Sequence, residues 1–134
     1  METMTSFYPV VMTTDAPAAA RFFEERFGFT QTFAADWYVS LVRDGAELAF
    51  LASDHDSIPA GFGAPVRGVL LNVEVDDARA AYERLVTGGG AECVLALRDE
   101  PFGQRHFILA APGGVLVDVI EPIAPSEEFA AAFA

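Results

Sequence analysis

The alternation of apolar and polar residues predicts two strands near the end of the chain, Gln104–Ala110 and Val115–Glu121. The turn between them, Ala111–Gly114, contains one proline with a fixed φ and two glycines that tolerate positive φ, which favours a hairpin. One face of the second strand is purely apolar, whereas Asp118 lies among the apolar residues of the other face. A carboxylate in the middle of an apolar strand is unusual, so Asp118 is a candidate functional residue.

The first part of the chain predicts a strand at Phe7–Thr14 and then a helix at Ala16–Phe27. Asp15 is a typical N-cap for this helix, and Gly28 follows it where a left-handed residue is expected. Three further strands are predicted, the last two joined by the turn Asp44-Gly45, and they are Phe29–Ala34, Trp37–Arg43 and Ala46–Ala52.

The same order of elements is predicted a second time later in the chain. The segment between the two series, Ser53–Arg67, is rich in Gly, Pro, Ser and Asp and is interpreted as a linker or loop. The second series begins with a strand at Gly68–Val75 and a helix at Ala78–Thr87. Asp76 or Asp77 caps this helix, and three consecutive glycines end it. The strands that follow are Ala91–Leu97, Gln104–Ala110 and Val115–Glu121.

The two series have the same internal spacing, since Gly28 and Gly90 each follow the capping residues Asp15 and Asp77 by thirteen positions. The sequence therefore predicts an α+β fold of two βαβββ modules, each with one curved sheet and a helix on its outer face. The predicted organisation is one domain over residues 1–134, with modules at about 7–52 and 68–122, a linker at 53–67 and a C-terminal helix at 126–134. Phe129 and Phe133 share one helical face, which is expected to pack on the body or on a second subunit.

Composition narrows the possible partners of the protein. Its formal net charge of −12 repels nucleic acid and anionic membranes and attracts cations, although general solubility is the simpler interpretation. No apolar run approaches the length of a membrane span, and Met1–Phe7 lacks the features of a signal peptide, so we expect a cytoplasmic protein. The single cysteine, Cys93, allows no internal disulfide, which agrees with that compartment.

The end of the chain also carries a family resemblance. Pro101-Phe102-Gly103, a strand, a Pro-x-Gly turn and a final strand ending at Glu121-Pro122 resemble the vicinal oxygen chelate superfamily. That superfamily includes glyoxalase I, extradiol dioxygenases, fosfomycin resistance enzymes and bleomycin resistance proteins. With the repeat, the resemblance covers Phe7–Pro122 and implies a cleft formed by curved sheets of the glyoxalase/bleomycin resistance type.

In metal-dependent members of the superfamily, four side chains bind the metal, and the resemblance places them at Tyr8, Glu47 (or Ala49), Leu70 and Asp118. Leucine cannot bind a metal and a neutral tyrosine is a weak donor, so we expect neither a metal nor another cofactor.

The remaining reactive residue types do not form a catalytic pattern. His55 is predicted in a loop, His106 is expected to be a surface or hydrogen-bonded strand histidine, and Cys93 a small buried residue. No Ser-His-Asp arrangement, phosphate loop or zinc spacing is present, so we assign no catalytic residue.

What remains is a cleft of aromatic and acidic side chains, which suits a flat, cationic organic molecule. The predicted cleft residues are Tyr8, Met12, Trp37, Tyr38, Glu47, Phe62, Leu70, Asn72, Glu74, Phe102 and Asp118. The chain is most similar to the bleomycin resistance branch, whose members are homodimers that sequester a cationic antibiotic without altering it. The alternatives are an enzyme that uses Glu47 or Asp118 as a general base or an atypical metal site, and a dimeric interaction module without a small ligand.

Overall fold

A computed structural model of the chain describes residues 1–133, without the side chain of Phe133. The chain divides into two compact units, one of Met1–Arg67 with Pro112–Gly114 and the other of Gly68–Ala111 with Val115–Ala134. Each unit contains one four-stranded sheet and one packed helix, which confirms the predicted α+β fold of two βαβββ modules. Within residues 1–133, no helix is both long and apolar enough to cross a membrane.

The first unit follows the predicted order of elements. Its elements are β1 (Val10–Thr13), α1 (Ala16–Phe27), β2 (Thr30–Ala34), β3 (Tyr38–Arg43) and β4 (Ala46–Ala52). The strand order is β1-β4-β3-β2, with β1 parallel to β4 and the other pairs antiparallel. The rings of Phe23 on α1 and Phe50 on β4 lie 5.6 Å apart between centroids, and both side chains are buried, so helix and sheet share one core.

The second unit repeats this arrangement. Its elements are β5 (Leu70–Glu74), α2 (Ala78–Tyr82), a π-helical turn (Glu83–Thr87), β6 (Cys93–Glu100), β7 (Gln104–Ala110) and β8 (Leu116–Pro122). The strand order is β5-β8-β7-β6, with β5 parallel to β8. The buried side chains on the helix side of this sheet are Phe107, Leu109, Val117 and Val119. A short helix, α3 (Glu127–Ala130), and a 3-10 turn (Ala131–Phe133) follow, whereas Ala134 of the predicted C-terminal helix lies outside the described residues.

Equivalent residues of the two modules adopt equivalent conformations. Gly28 and Gly90 both have left-handed backbones, with φ of 68° and 66°. The next amide in each module bonds the carbonyl six residues earlier, Phe29 to Phe23 at 3.2 Å and Ala91 to Leu85 at 2.9 Å. The repeat inferred from sequence spacing is therefore present in the backbone.

The predicted bounds of several elements need correction. β1 begins at Val10 and not at Phe7, since Pro9 has no amide hydrogen to donate to a ladder. β6 extends to Glu100 and not to Leu97, because its charged last residues still pair with β7. The second helix is α-helical only to Tyr82 and continues as the π-helical turn. Smaller shifts of one or two residues affect β2, β3, β5, β8 and the start of β6, which is Cys93 and not Ala91.

Both predicted helix caps are formed, and we expect their removal to destabilise the protein. The Asp15 carboxylate accepts a hydrogen bond from the Ala18 amide at 3.0 Å, and Asp77 accepts one from the Ala80 amide at 3.0 Å. We expect Asp15→Ala and Asp77→Ala each to lower the free energy of unfolding by about 1 kcal/mol. Urea denaturation would measure both, with Asp15→Asn and Asp77→Asn as controls that retain the capping oxygen. Equal losses in the alanine and asparagine variants would contradict the capping role.

Candidate functional site

The open face of the second sheet, opposite α2, carries several polar side chains. Strand pairing places Asn72 of β5 beside Asp118 of β8, and Asp118 beside Ile108 of β7. Paired residues point to the same side of a sheet, and so do residues two apart on one strand. The open face therefore holds Leu70, Asn72, Glu74, Gln104, His106, Ile108, Leu116, Asp118 and Ile120.

A buried histidine joins two carboxylates on this face. His106 Nδ1 lies 2.7 Å from Asp118 Oδ1, and its Nε2 lies 2.8 Å from Glu100 Oε2. The Arg98 Nε–H donates to the same Glu100 oxygen at 2.8 Å. His106 and Asp118 are only 5% and 6% exposed. We call Arg98, Glu100, His106 and Asp118 the histidine network.

The histidine network favours the charged form of His106. Each ring nitrogen faces a carboxylate oxygen, and this arrangement favours a proton on both nitrogens. Burial alone would lower the pKa of His106, but the hydrogen bonds to Glu100 and Asp118 outweigh it and raise that pKa. Hydrogen bonds from His106 and then Arg98 lower the pKa of Glu100. The Asp118 carboxylate therefore already has a hydrogen-bonding partner in His106.

A pocket of about 360 Å³ lies at the Glu74 end of the same face. It is built by the segment after β8, because the Ile123 amide bonds the Gly103 carbonyl at 2.9 Å and the Ser126 amide bonds the Pro101 carbonyl at 2.8 Å. The pocket is lined mainly by apolar groups, and its lining residues are Glu74, Phe102, Gly103, Gln104, Ile120, Pro122, Ile123 and Pro125. Among residues 1–133, nothing forms an ion pair with Glu74. We call this the Glu74 pocket.

Phe102 has a second neighbour in the C-terminal segment. Its ring centroid lies 6.3 Å from that of Phe129, with an edge-to-face angle of 75°. Phe129 therefore packs on the body of its own unit, one of the two expected alternatives, while the side chain of Phe133 lies outside the described residues.

The open face of the first sheet carries an aromatic cluster, formed by Phe33, Trp37, Tyr38 and His55. The ring of His55 stacks on Trp37 with centroids 4.1 Å apart and an angle of 11°. Trp37 in turn contacts Tyr38 at 5.8 Å and Phe33 at 6.3 Å. Burial raises the pKa of Tyr38, and the neighbouring Tyr8 raises it further. Met12 and Glu47 lie on the same face as Tyr38, whereas Phe62 lies in the following loop and is 74% exposed.

The strand pairing identifies the residue of the first module that is equivalent to Asp118. Asn72 pairs with Asp118, and the residue equivalent to Asn72, which is Val10, pairs with Ala49. Asp118 therefore corresponds to Ala49 in the repeat, whereas Glu47 corresponds to Leu116. Glu47 and Ala49 were the two alternatives for this position of the first module. The strand pairing shows that Ala49 is the equivalent of Asp118.

The residues at the implied metal positions do not fit a metal. Leu70 has no donor atom, Ala49 has none either, and Asp118 Oδ1 is bound by His106. Within residues 1–133, no three His, Cys, Asp or Glu side chains converge in an arrangement that could hold a metal ion.

The structure refines what the sequence predicted for His106 and Cys93. His106 is the hydrogen-bonded strand histidine that was expected, but its two carboxylate partners were not assigned. Cys93 is half-buried and not fully buried, and its thiol lies 3.2 Å from the Leu95 carbonyl oxygen. The signal that could have identified the network is the tight hairpin turn, which fixes His106 diagonally across from Asp118.

The paired βαβββ modules define a class of protein with the vicinal oxygen chelate fold. Residues 6–119 match the family described as "Glyoxalase/Bleomycin resistance protein/Dioxygenase superfamily". The chain belongs to this superfamily. A search of curated proteins returns no significant match.

Solved structures with low sequence identity share the fold. A glyoxalase/bleomycin resistance protein/dioxygenase from Nocardioides is 22% identical with a TM-score of 0.74, covering 92% of this chain and 86% of its own. A lactoylglutathione lyase from Agrobacterium tumefaciens is 17% identical with a TM-score of 0.72, covering 89% and 95%. A glyoxalase/bleomycin resistance protein/dioxygenase family enzyme from Burkholderia phytofirmans PsJN is 19% identical with a TM-score of 0.71, covering 87% and 97%.

Proposed function

We propose that this protein binds a small aromatic cation reversibly and releases it unaltered, as bleomycin resistance proteins do with their antibiotic. The observation that carries the proposal is the Glu74 pocket, in which an unpaired carboxylate borders an apolar cavity. Its volume of about 360 Å³ is near the lower end of the usual range for small-molecule sites. A ligand with one or two rings and one positive charge matches both the size and the chemistry of this pocket.

The apolar part of the pocket favours an aromatic ligand. Phe102 offers a ring whose position is set by Phe129, and Ile120 and Ile123 offer aliphatic surface. An aromatic pair gains about 0.5–1.5 kcal/mol beyond the burial of its area. Gln104, at the same pocket, provides a neutral hydrogen-bonding group that can orient a polar substituent.

The charges of the unit favour a cation over an anion. Among residues 1–133, Glu74 forms no ion pair, while Arg98 and His106 of the histidine network contact Glu100 and Asp118. The Glu74 carboxylate would repel an anionic ligand and attract a cationic one. The net charge of −12 acts in the same direction, because it raises the local concentration of cations.

The side chains of the second unit favour reversible ligand binding over the alternative that the protein is an enzyme. Asp118, one of the two candidate bases, is hydrogen-bonded to His106, and Leu70 lies at an implied metal position. The likeness to a lactoylglutathione lyase concerns the fold, since that protein is only 17% identical. A homodimer and a cytoplasmic location remain part of the proposal.

The proposal can be tested with three ligands that differ mainly in charge. They are the cation 2-naphthylmethylammonium, the neutral alcohol 2-naphthylmethanol and the anion 2-naphthoate. We expect calorimetry to rank their affinities in that order, with the anion weakest. Glu74→Gln should weaken the cation about fivefold, the upper end of the effect of an exposed ion pair, and leave the neutral alcohol unchanged. The preference for the cation should also decrease as salt concentration increases.

Glu92→Gln is a matched control, because it removes the same charge from the same unit at an exposed residue that does not line the pocket. It should leave the affinities for all three ligands unchanged. Equal affinity of the cation for the wild type and Glu74→Gln would refute the assigned site. Turnover of a bound ligand by the purified protein would instead support the enzymatic alternative.

A further inference from the structure

A second cavity lies on the helix side of the second unit, between the helical segment and β6. Its volume is about 380 Å³, and its lining residues are Arg79, Tyr82, Glu83, Thr87, Ala96 and Leu97. We call it the Arg79 groove. None of its residues belongs to the histidine network or to the Glu74 pocket, so the proposed function leaves it without a role.

Two backbone irregularities converge on the Arg79 groove. The helix widens from α to π at Glu83–Thr87, and β6 bulges opposite it, with the three steps from Leu95 to Arg98 matching only two on β7. Ala96 and Leu97 lie inside this bulge and have no partner in the β6–β7 register. Widened helical turns and bulges are enriched beside functional sites, where they re-aim side chains and free backbone groups for a ligand.

The charged side chains of the groove, Arg79 and Glu83, are opposite in sign. Arg79 and Glu83 are one helical turn apart, a spacing that normally allows an ion pair. Within residues 1–133 neither forms an ion pair. The nearby Asp99 is bound by Arg105 through contacts of 2.8 and 3.1 Å, and the charge of Arg79 adds to the effect of these hydrogen bonds in lowering the pKa of Asp99. The groove therefore presents one guanidinium and one carboxylate, neither of which forms an ion pair among residues 1–133.

Packing on the core holds the Tyr82 ring of the groove in position. The Tyr82 ring packs edge-to-face on the buried Phe107, with centroids 5.1 Å apart, and its hydroxyl has no partner among the described residues. Thr87 adds a second hydroxyl, and Ala96 and Leu97 add aliphatic surface.

We propose that the Arg79 groove binds a small zwitterion with a carboxylate and an ammonium group, the chemistry of a free α-amino acid. Arg79 binds the carboxylate, Glu83 binds the ammonium group, and Leu97 with the face of Tyr82 contacts an apolar side chain. A zwitterion satisfies both charges at once, whereas a simple anion would approach the Glu83 carboxylate and a simple cation the Arg79 guanidinium.

The test uses the full-length protein and three related compounds, L-leucine, N-acetyl-L-leucine and L-leucinamide. Binding is followed by the NMR shifts of the Thr87, Ala96 and Leu97 amides. We expect saturable shifts with L-leucine, and binding about tenfold weaker or more for the two compounds that lack one charge. Shifts that grow linearly without saturation, or equal affinities for the three compounds, would overturn the proposal.

Substitutions of Arg79 and Glu83 would show which charged group of the ligand each residue binds. Arg79→Gln should weaken L-leucine about tenfold and abolish its advantage over L-leucinamide, while Glu83→Gln should abolish its advantage over N-acetyl-L-leucine. Glu92→Gln is the charge control and should bind L-leucine as the wild type does. Glu74→Gln should also leave L-leucine binding unchanged, so that failure at one cavity is distinguishable from failure at the other. L-Leucine affinities that are equal in Arg79→Gln, Glu83→Gln and the wild type would place the ligand elsewhere.

Discussion

Replacing His106 with alanine is expected to lower the free energy of unfolding by about 3 kcal/mol. The imidazolium bridges Asp118 at 2.7 Å and Glu100 at 2.8 Å, and Asp118 is almost fully buried. Without His106, the Asp118 carboxylate loses its charged partner but cannot reach bulk water, so it must be protonated or remain unsolvated. The truncation also leaves a cavity beside Asp118, which adds to the loss.

Urea denaturation at pH 6.5 would measure this change, and His55→Ala provides the matched control. His55 is the only other histidine in the chain, and it stacks on Trp37 in a loop without a buried charge partner. Its removal should cost no more than about 1 kcal/mol. A loss of less than 1 kcal/mol for His106→Ala would contradict the assigned role of the histidine network.

The double variant His106→Leu/Asp118→Leu separates charge from packing. It removes both members of the buried pair and replaces them with apolar groups, so no buried carboxylate remains at position 118. We expect it to be more stable than His106→Leu alone, because apolar replacement of a whole buried pair is often neutral or stabilising. A double variant that is less stable than the single variant would show that the pair itself, and not the uncompensated charge, dominates the effect.

The elements of this fold could be predicted because local chemistry defines them. Asp15 and Gly28 mark the ends of α1 in the sequence, and the structure uses both as caps. Boundaries were predicted less well where tertiary pairing overrides local polarity. β6 continues through Arg98 and Asp99, beyond its predicted end at Leu97, because β7 provides pairing partners for them.

The candidate site could be predicted only in part. Asp118 is conspicuous in the sequence, since an acid among apolar residues needs a partner. Identifying His106 as that partner requires the cross-strand register, and Glu100 lies beyond a bulge that no residue pattern indicates. The same limit applies to the Arg79 groove, because the apolar period of residues 78–87 suits an α-helix and does not encode its widening into a π-helical turn.

The histidine network also predicts how stability depends on pH. The pKa of His106 is raised above the ordinary value of 6.5, since the hydrogen bonds to Glu100 and Asp118 outweigh the effect of burial. The native state therefore holds this proton more tightly than the unfolded chain. The resulting stabilisation is complete below about pH 6.5 and is lost as the pH rises through the native pKa of His106. On the acid side, the pKa of Glu100 is lowered from 4.5, so its contribution is present above that value and is lost as the pH falls.

We therefore expect the contribution of the network to be greatest between about pH 4.5 and 6.5 and to decrease above pH 6.5, by at most about 1.4 kcal/mol per pH unit for the single proton of His106. Urea denaturation from pH 5 to 9 would measure the decrease, and His106→Gln should abolish it because glutamine does not titrate. His55→Gln should retain it, which separates the two histidines of the chain. An unchanged alkaline decrease in His106→Gln would assign the pH dependence to other groups, and stability that rises from pH 6.5 to 8 in the wild type would mean that His106 is neutral in the folded protein.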